Sequence, residues 1–206
     1  MLFRSASASP EPKQGFIDRC LVVAYDQGIK PIIVMTKRDL ADPSDFLGVY
    51  RPLEVESFVL SRDSDLSAIQ NTLRGKTSVL IGHSGVGKST LVNKLSSDEK
   101  RSVGKVNVVT GRGRHTSSSA IAMQLPAGGW IIDTPGVRSF GLEHVEESRV
   151  MGAFPELNRA IASCPKNCHH RSDGCGLDKL IETHPESIAR VESLRRLLNS
   201  QDSALA

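Results

Sequence analysis

The stretch Gly82-His-Ser-Gly-Val-Gly-Lys88-Ser89 decides the fold of this chain, because it matches the pattern G-x-x-x-x-G-K-[ST]. It lies between the apolar run at residues 79–81 and residues 89–96, whose spacing predicts a helix. In that position glycines let the backbone fold around phosphate groups, so that N–H groups and the helix N-terminus face the anion. The predicted phosphate-binding residues are Gly82, His83, Ser84, Gly85, Val86, Gly87, Lys88, Ser89 and Thr90.

Two of these residues have predicted roles of their own. We expect Lys88 to contact the β- and γ-phosphates of a nucleotide and Ser89 to coordinate magnesium.

Strands and helices alternate on both sides of this loop. Apolar side chains at helical spacing predict helices, and short β-branched runs predict buried strands. Helices are predicted at 16–27, 66–73 and 89–96, strands at 32–35, 57–60 and 79–81, and an antiparallel hairpin at 121–125 and 130–132. Strands that alternate with helices predict an α/β fold with a parallel sheet.

The stretch Thr36-Lys37-Arg38-Asp39 follows the predicted strand 32–35 and is similar to the Asn-Lys-x-Asp element of GTPases, with Thr in place of Asn. The carboxylate of Asp39 can accept hydrogen bonds from N1–H and the 2-amino group of guanine, whereas adenine has neither donor. The methylene stem of Lys37 can lie against the base. We therefore predict a guanine site at Thr36, Lys37, Arg38 and Asp39, and we expect the Asn-to-Thr replacement to remove an amide that ties loops together.

Two further observations bear on the base site. Ser61 and Arg62 follow the next predicted strand, and we expect them to supply a backbone contact to the guanine oxygen. If Asp39 is instead a surface charge, the phosphate loop is equally compatible with an enzyme that uses ATP.

The stretch Asp133-Thr-Pro-Gly136 follows the apolar run 130–132. A carboxylate at the end of a strand can reach magnesium through water, so we assign that role to Asp133. The backbone N–H of Gly136 is expected to meet the γ-phosphate. Taken alone, such a string is a plain turn, and the neighbouring phosphate loop gives it a functional meaning.

Hydrolysis is expected to be slow in the isolated protein, because Val137 stands where Ras-like enzymes have a glutamine that orients water. The stretch Gly111-Arg-Gly-Arg-His-Thr116 is the predicted switch segment. In it, we expect Thr116 to close onto magnesium and the γ-phosphate and His115 to orient water. We expect Arg112 and Arg114 either to meet phosphate charge or to bind RNA. The alternative is a basic loop that only contacts RNA.

The residues Cys164, Cys168, His170 and Cys175 form the pattern C-x₃-C-x-H-x₄-C. Three thiolates and an imidazole are the ligand set of a closed tetrahedral structural zinc site. His169 is a competing ligand. Beyond this cluster a last helix is predicted, in which Ile188, Val191, Leu194, Leu197 and Leu198 share one face.

The order of the motifs predicts a circular permutation. In an ordinary GTPase the phosphate loop precedes the base-specificity motif, but here Asp39 precedes Gly82 and Asp133 comes last. Such a permutation costs little, because these motifs are surface loops at the carboxyl ends of sheet strands and only surface connections change.

The motifs TKRD, GHSGVGKST, GRGRHT and DTPGV, followed by the Cys₃His cluster, resemble the ribosome small-subunit-dependent GTPase A family of bacterial circularly permuted GTPases. The resemblance runs from about residue 16 to the C-terminus. It implies a factor that binds GTP with Mg²⁺, acts late in maturation of the small ribosomal subunit, contacts its rRNA and hydrolyses GTP to GDP when stimulated by that subunit. Family members generally begin with an OB-fold domain and a first GTPase strand, and we expect this chain to lack both.

Composition adds limits rather than an identity. A net charge of +3 permits an anionic partner without establishing one. No run approaches the roughly 18 apolar residues of a membrane helix, and residues 1–12 have no signal-peptide core, so we expect a cytoplasmic protein without membrane contact. We also expect a monomer with a frayed N-terminus. The predicted division is a circularly permuted P-loop GTPase domain at 1–150 and a zinc-binding helical domain at 151–206. The alternative function is a GTP-gated RNA-binding module with little hydrolysis of its own.

Overall fold

The structure is a computed structural model that describes residues 1–96, 106–108, 120–134, 141–142, 144–171 and 174–202. Its contacts divide the chain into two compact units that interleave along the sequence. The sheet unit comprises Met1–Pro12, Ile32–Pro43 and Glu56–Arg138, and the helical unit comprises Lys13–Pro31, Ser44–Val55 and Ser139–Ala206. The predicted division at residue 150 concerns functional domains and stays a proposal.

The sheet unit contains a seven-stranded mixed sheet with the strand order β3-β2-β1-β4-β7-β6-β5. The strands β3, β2, β1, β4 and β7 are parallel. β6 and β7 pair in antiparallel fashion, as predicted for the hairpin, and β5, for which no strand was predicted, pairs antiparallel with β6. The strands are β1 (Leu2–Ala6), β2 (Ile32–Thr36), β3 (Glu56–Val59), β4 (Thr77–Ile81), β5 (Val106–Val108), β6 (Ala120–Gln124) and β7 (Trp130–Asp133).

The expectation of a frayed N-terminus without a first strand is wrong. Leu2–Ala6 form β1, which is buried at every position and pairs with β2 on one side and β4 on the other. A strand with neighbours on both sides and covered on both faces needs little apolar sequence of its own, because its backbone hydrogen bonds supply much of the specificity.

Among the described residues of this unit, two helices accompany the sheet, α3 (Ser67–Leu73) and α4 (Lys88–Ser96). Both place aliphatic side chains against one face of the sheet, as the predicted periodicity requires. The resulting core contains Leu2, Ile32, Val34, Leu60, Ile69, Leu73, Leu80, Leu91, Val92, Leu95, Leu125 and Ile131. It fixes the carboxyl ends of the parallel strands, where the motif-bearing loops begin.

The helical unit is built around α1 (Gln14–Asp26) and α8 (Ile188–Asp202), which are the longest helices described. Between them lie α2 (Ser44–Gly48), α5 (Glu147–Gly152), α6 (Asn158–Ala162) and α7 (Gly176–Thr183), with short 3₁₀ turns at 51–53, 155–157 and 185–187. The predicted apolar face of α8 is confirmed for Val191, Leu194, Leu197 and Leu198, which are buried. It is wrong for Ile188, which is 46% exposed because it stands at the first residue of the helix.

A buried ion-pair network ties α1 to α8 inside the helical unit. The carboxylate of Asp18, only 1% exposed, accepts from Nη1 of Arg190 at 3.1 Å and from Nη2 of Arg196 at 3.2 Å. Arg190 also donates to Glu156 at 2.7 Å and stacks its guanidinium 4.1 Å from the ring centroid of Phe154. Burial raises the pKa of Asp18, and the hydrogen bonds and the two arginines oppose that shift.

Among the described helices, none combines the length and apolar character that crossing a bilayer requires.

Candidate nucleotide site and metal centre

The predicted phosphate loop connects β4 to α4 and has the backbone geometry that its glycines allow. Gly85 and Gly87 have φ angles of 80° and 84°, in the left-handed region that side chains other than glycine rarely adopt. A side chain at Gly82 would collide with the backbone carbonyl of Arg4 in β1. The strand-loop-helix context predicted for this motif is confirmed, and it places the N-terminus of α4 at the carboxyl edge of the sheet.

The ammonium group of Lys88 lies inside this loop. Its Nζ donates to the carbonyl oxygens of Gly82 at 2.7 Å and His83 at 3.0 Å, and the residue is 8% exposed. Burial lowers the pKa of Lys88, while the Asp133 carboxylate acts in the opposite direction. The lysine is therefore held against the loop backbone, where a bound phosphate would meet it.

Ser89 and Asp133 meet at the end of β7. The hydroxyl of Ser89 lies 3.5 Å from Oδ2 of Asp133. The other carboxylate oxygen, Oδ1, is buried and has no hydrogen-bond partner among the described residues. Burial raises the pKa of Asp133, and the charges of Lys88 and Arg4 oppose the shift. A hydroxyl beside an unsatisfied carboxylate is an oxygen donor set that fits Mg²⁺.

Thr36 ends β2 and contacts the phosphate loop directly. It is 4% exposed, and its hydroxyl lies 3.0 Å from the carbonyl oxygen of Val86 and 3.2 Å from that of Ser5. The expectation that threonine removes the link between the loops is therefore wrong. The threonine side chain is shorter than that of asparagine. Because β2 and the phosphate loop approach closely, the Thr36 hydroxyl still reaches the loop backbone that an asparagine amide was expected to contact.

The predicted base motif and the phosphate loop line a common cavity of about 440 Å³. This volume is within the range of sites for small organic ligands. Its walls include Thr36, Lys37, Asp39, Leu40, Leu60, Ser61, Arg62, Leu66, Val86, Gly87, Thr90, Leu91, Lys94 and Arg4. The predicted Arg38 is exposed and does not line this cavity, although its backbone N–H donates to Leu60 at 3.2 Å.

The segment after β3 is shaped by local hydrogen bonds. The backbone N–H of Ser61 donates to the hydroxyl of Ser64 at 2.8 Å, and the carbonyl oxygen of Arg62 accepts a hydrogen bond from Nζ of Lys94 in α4. Lys37, with a φ of 60°, donates from Nζ to the carbonyl oxygen of Ser9. Both loops at the base end of the cavity are thus held by lysine side chains.

Several predicted functional residues lie outside the described residues. They are Gly136, Val137, the catalytic candidates His115 and Thr116, and Arg112 and Arg114 of the predicted switch segment. Their assignments rest on the sequence.

The predicted zinc ligands come together in the helical unit. One donor atom from each of Cys164, Cys168, His170 and Cys175 lies within 4.8 Å of the others. Sγ of Cys164 is 3.3 Å from Sγ of Cys175, which is 3.4 Å from Nδ1 of His170. Tetrahedral zinc with Zn–S bonds of about 2.3 Å separates its sulfur ligands by about 3.8 Å, so this cluster can hold one zinc ion. His169 is exposed, and the cluster uses His170 instead.

Neighbouring groups orient this cluster. The backbone N–H of Gly176 donates to Sγ of Cys164 at 3.2 Å, and a side chain at Gly176 would approach the carbonyl oxygen of Ala160 to 2.5 Å. The carboxylate of Asp178 accepts from the backbone N–H of Cys175 at 2.9 Å and pairs with Arg195 at 2.6 Å. Such surrounding hydrogen bonds hold metal ligands in place.

Arg4 and Lys94 line the same cavity, and the sequence analysis predicted neither. A signal for Arg4 was available, since an arginine within the apolar string Leu2-Phe-Arg-Ser-Ala6 just before a predicted helix is unusual for a simple tail. Lys94 had no such signal, because one lysine on a helix is normally solvated.

Comparison with known proteins agrees with this geometry. The chain superposes on the crystal structure of YjeQ from Thermotoga maritima with a TM-score of 0.72 at 23% identity, over 97% of this chain and 70% of that one. It superposes on YloQ, described as a circularly permuted GTPase, with a TM-score of 0.73 at 23% identity, over 99% and 68%. The fold is therefore that of the circularly permuted GTPases, as predicted.

Sequence relatives identify the family within that class. The family model "RsgA GTPase" matches residues 1–143. The small ribosomal subunit biogenesis GTPase RsgA of Pseudomonas fluorescens (strain SBW25) is 38% identical over 201 residues, which are 93% of this chain and 59% of the relative. That of Pseudomonas syringae pv. syringae (strain B728a) is 39% identical over 206 residues, with 94% and 60% covered. The chain belongs to the RsgA GTPase family, and it spans about three fifths of the length of these curated relatives.

Proposed function

We propose that this protein binds GTP with Mg²⁺, hydrolyses it to GDP and phosphate, and acts as a late maturation factor of the small ribosomal subunit. The observation that carries the nucleotide part is the common cavity lined by Asp39 and Thr36 of the base motif and by Val86 and Gly87 of the phosphate loop. The names of the relatives support the ribosomal part. Contact with rRNA, a cytoplasmic location and a monomeric state without membrane contact belong to the same proposal.

The residues that line the cavity support guanine recognition. Asp39 offers the carboxylate that pairs with N1–H and the 2-amino group, while Leu60, Leu66 and Leu91 supply apolar walls for the ring. Ser61 and Arg62 lie in the same wall, and because the N–H of Ser61 donates to the hydroxyl of Ser64, we assign the backbone contact to the guanine oxygen to Arg62.

The phosphates extend from this cavity along the loop to Lys88. In hydrolysis a water oxygen bonds to the γ-phosphorus, the bond from that phosphorus to the β–γ bridging oxygen breaks, and the electron pair stays on GDP. Ser89 and Asp133 are the residues that would hold Mg²⁺, which would neutralise phosphate charge when bound. Lys88 offsets the charge that develops on the leaving oxygen.

Measuring turnover of radiolabelled GTP and ATP, with and without small ribosomal subunits, tests this proposal. We expect GTP turnover that rises strongly with subunits, and little ATP turnover. GTP binding without turnover in either condition would favour the GTP-gated RNA-binding module. Equal use of ATP would show that Asp39 is a surface charge.

A variant in the predicted switch segment separates catalysis from docking. We expect His115→Ala to lower subunit-stimulated turnover far more than it weakens GTP or subunit binding, because a water-orienting group acts mainly in the transition state. If all three fall equally, the segment only docks on RNA and the subunit supplies the missing catalytic group.

We also propose that Cys164, Cys168, His170 and Cys175 hold one structural zinc ion. Metal analysis of gently purified protein is expected to find about one zinc per chain, and Cys168→Ser to lose most of it while GTP binding persists. The matched control is Cys20→Ala, which removes the buried thiol of α1 outside the cluster and should leave zinc content unchanged. Protein without metal, or equal zinc in Cys168→Ser, would contradict the assignment.

A further inference from the structure

Arg4 is a buried cation in β1, an interior strand that lies between β2 and β4 in the sheet. It is 7% exposed, and its Nη1 donates to the carbonyl oxygen of Gly87 and, at 3.3 Å, to that of Lys88. Its Nε is buried and has no partner among the described residues. A buried charge is costly unless other groups compensate it, so an aliphatic residue would be the simpler occupant of this position.

Within the described part of the chain, Arg4 forms no ion pair. The charge of the Asp133 carboxylate favours the protonated form of Arg4, and the same carboxylate also favours the protonated form of Lys88, so that it raises the pKa of both groups. Burial lowers the pKa of Arg4 to about 10, with Asp133 opposing the shift, so the guanidinium stays charged at neutral pH. Arg4 therefore adds a second cationic side chain, besides Lys88, against the phosphate loop.

The hydrogen bonds of Arg4 act on particular peptide groups. The carbonyl of Gly87 belongs to the same peptide group as the N–H of Lys88, and the carbonyl of Lys88 belongs with the N–H of Ser89. At the first turn of α4, free N–H groups point out of the helix N-terminus and carbonyls point the opposite way. A cation bound to a carbonyl polarises its peptide group and makes the N–H a stronger donor.

Arg4 is also placed at the cavity itself. It lines the cavity together with Thr36, Val86 and Gly87. A side-chain carbon at Gly87 would lie 3.1 Å from Nη2 of Arg4, so the guanidinium is packed directly against the loop.

We propose that Arg4 is a positioning residue of the nucleotide site, which strengthens the anion-binding N–H groups of Lys88 and Ser89 from behind and adds positive charge that favours nucleotides with more phosphates. The inference rests on the proposed function. Arg4 acts through the loop backbone, so its effect must grow with the phosphate charge of the ligand and be small for the base.

Binding of GMP, GDP and GTP to the full chain and its variants tests this role by competition against a fluorescent guanine nucleotide. We expect Arg4→Met to weaken GDP binding about tenfold, equivalent to ~1.4 kcal/mol, with a larger loss for GTP and a smaller one for GMP. Arg4→Lys keeps the charge and should retain most of the increase in affinity from GMP through GDP to GTP that the wild-type protein shows. Arg4→Gln is measured alongside as a second neutral variant in case the methionine protein does not fold.

The matched control is Lys94→Met, which removes a cation from the base end of the same cavity. We expect it to weaken GMP, GDP and GTP binding by similar factors. A parallel loss of all three nucleotides in Arg4→Met or Arg4→Gln would show that Arg4 only supports the fold and would overturn the inference. Wild-type protein that binds none of the three would overturn the proposed function, and the inference with it.

Discussion

Lys88→Ala is expected to abolish measurable GTP turnover. The ammonium group is held inside the phosphate loop by the carbonyl oxygens of Gly82 and His83. The oxygen that bridges the β- and γ-phosphates of bound GTP would therefore meet a cation already in position. Removing a positioned charge at a transferring phosphoryl group costs about 3–4 kcal/mol, or roughly 10²–10³ in rate. Single-turnover hydrolysis with saturating GTP measures the loss apart from weaker binding.

The matched control for this prediction is Lys76→Ala. Lys76 is an exposed lysine of the same unit, which precedes the amino end of β4 and donates to the carbonyl oxygen of Thr72. The phosphate loop begins at the other end of that strand, so turnover should be unchanged. Hydrolysis retained in Lys88→Ala would place the active site elsewhere.

Asp39→Asn is expected to shift base preference from guanine towards xanthine. The carboxylate accepts two hydrogen bonds from guanine, whereas an asparagine amide turns a donor towards the 2-amino group and favours the 2-oxo group of xanthine. Losing hydrogen bonds to a charged acceptor costs about 1.5–3 kcal/mol each, so GTP affinity should fall by roughly tenfold or more. Competition between guanosine and xanthosine triphosphates measures the preference.

Asp42→Asn provides the matched control, because it makes the same change in charge three residues along the chain and outside the cavity lining. It should leave both affinities as they are in the wild type. Unchanged preference in Asp39→Asn would mean that the Thr36–Asp39 stretch is not the base site.

The parts of the fold that could be predicted are those with a local signal. The phosphate loop, the strands β2, β3 and β4 before it and the β6–β7 hairpin have strong periodicity and turn chemistry, and they lie where predicted, whereas the three-residue β5 was not predicted. β1 was missed because Leu2–Ala6 contains two polar residues, Arg4 and Ser5, and its burial comes from β2 and β4, which are distant in sequence. Pairing energy between remote segments leaves little trace in a short strand.

Contacts within the candidate site that join different elements could not be predicted from the sequence either. The contact of Thr36 with Val86 and that of Lys94 with Arg62 each join residues from different elements, so neither follows from a motif. The choice of His170 over His169 was open for a related reason. His170 has a φ of 57°, and that turn, which spacing does not reveal, brings its ring to Cys175.

The network around Asp18 has a consequence for shortening this protein. A fragment ending near residue 150 keeps α1 but loses Arg190 and Arg196, the two cations that neutralise the Asp18 carboxylate. Removing the partners of a buried charge typically costs about 3–5 kcal/mol, a large share of the stability of an ordinary domain. The same truncation removes the α8 side chains that belong to the same hydrophobic cluster as Val22 of α1. The last fifty or so residues therefore act as part of the folding unit of α1, and we expect a fragment trimmed of them to be destabilised and prone to aggregation.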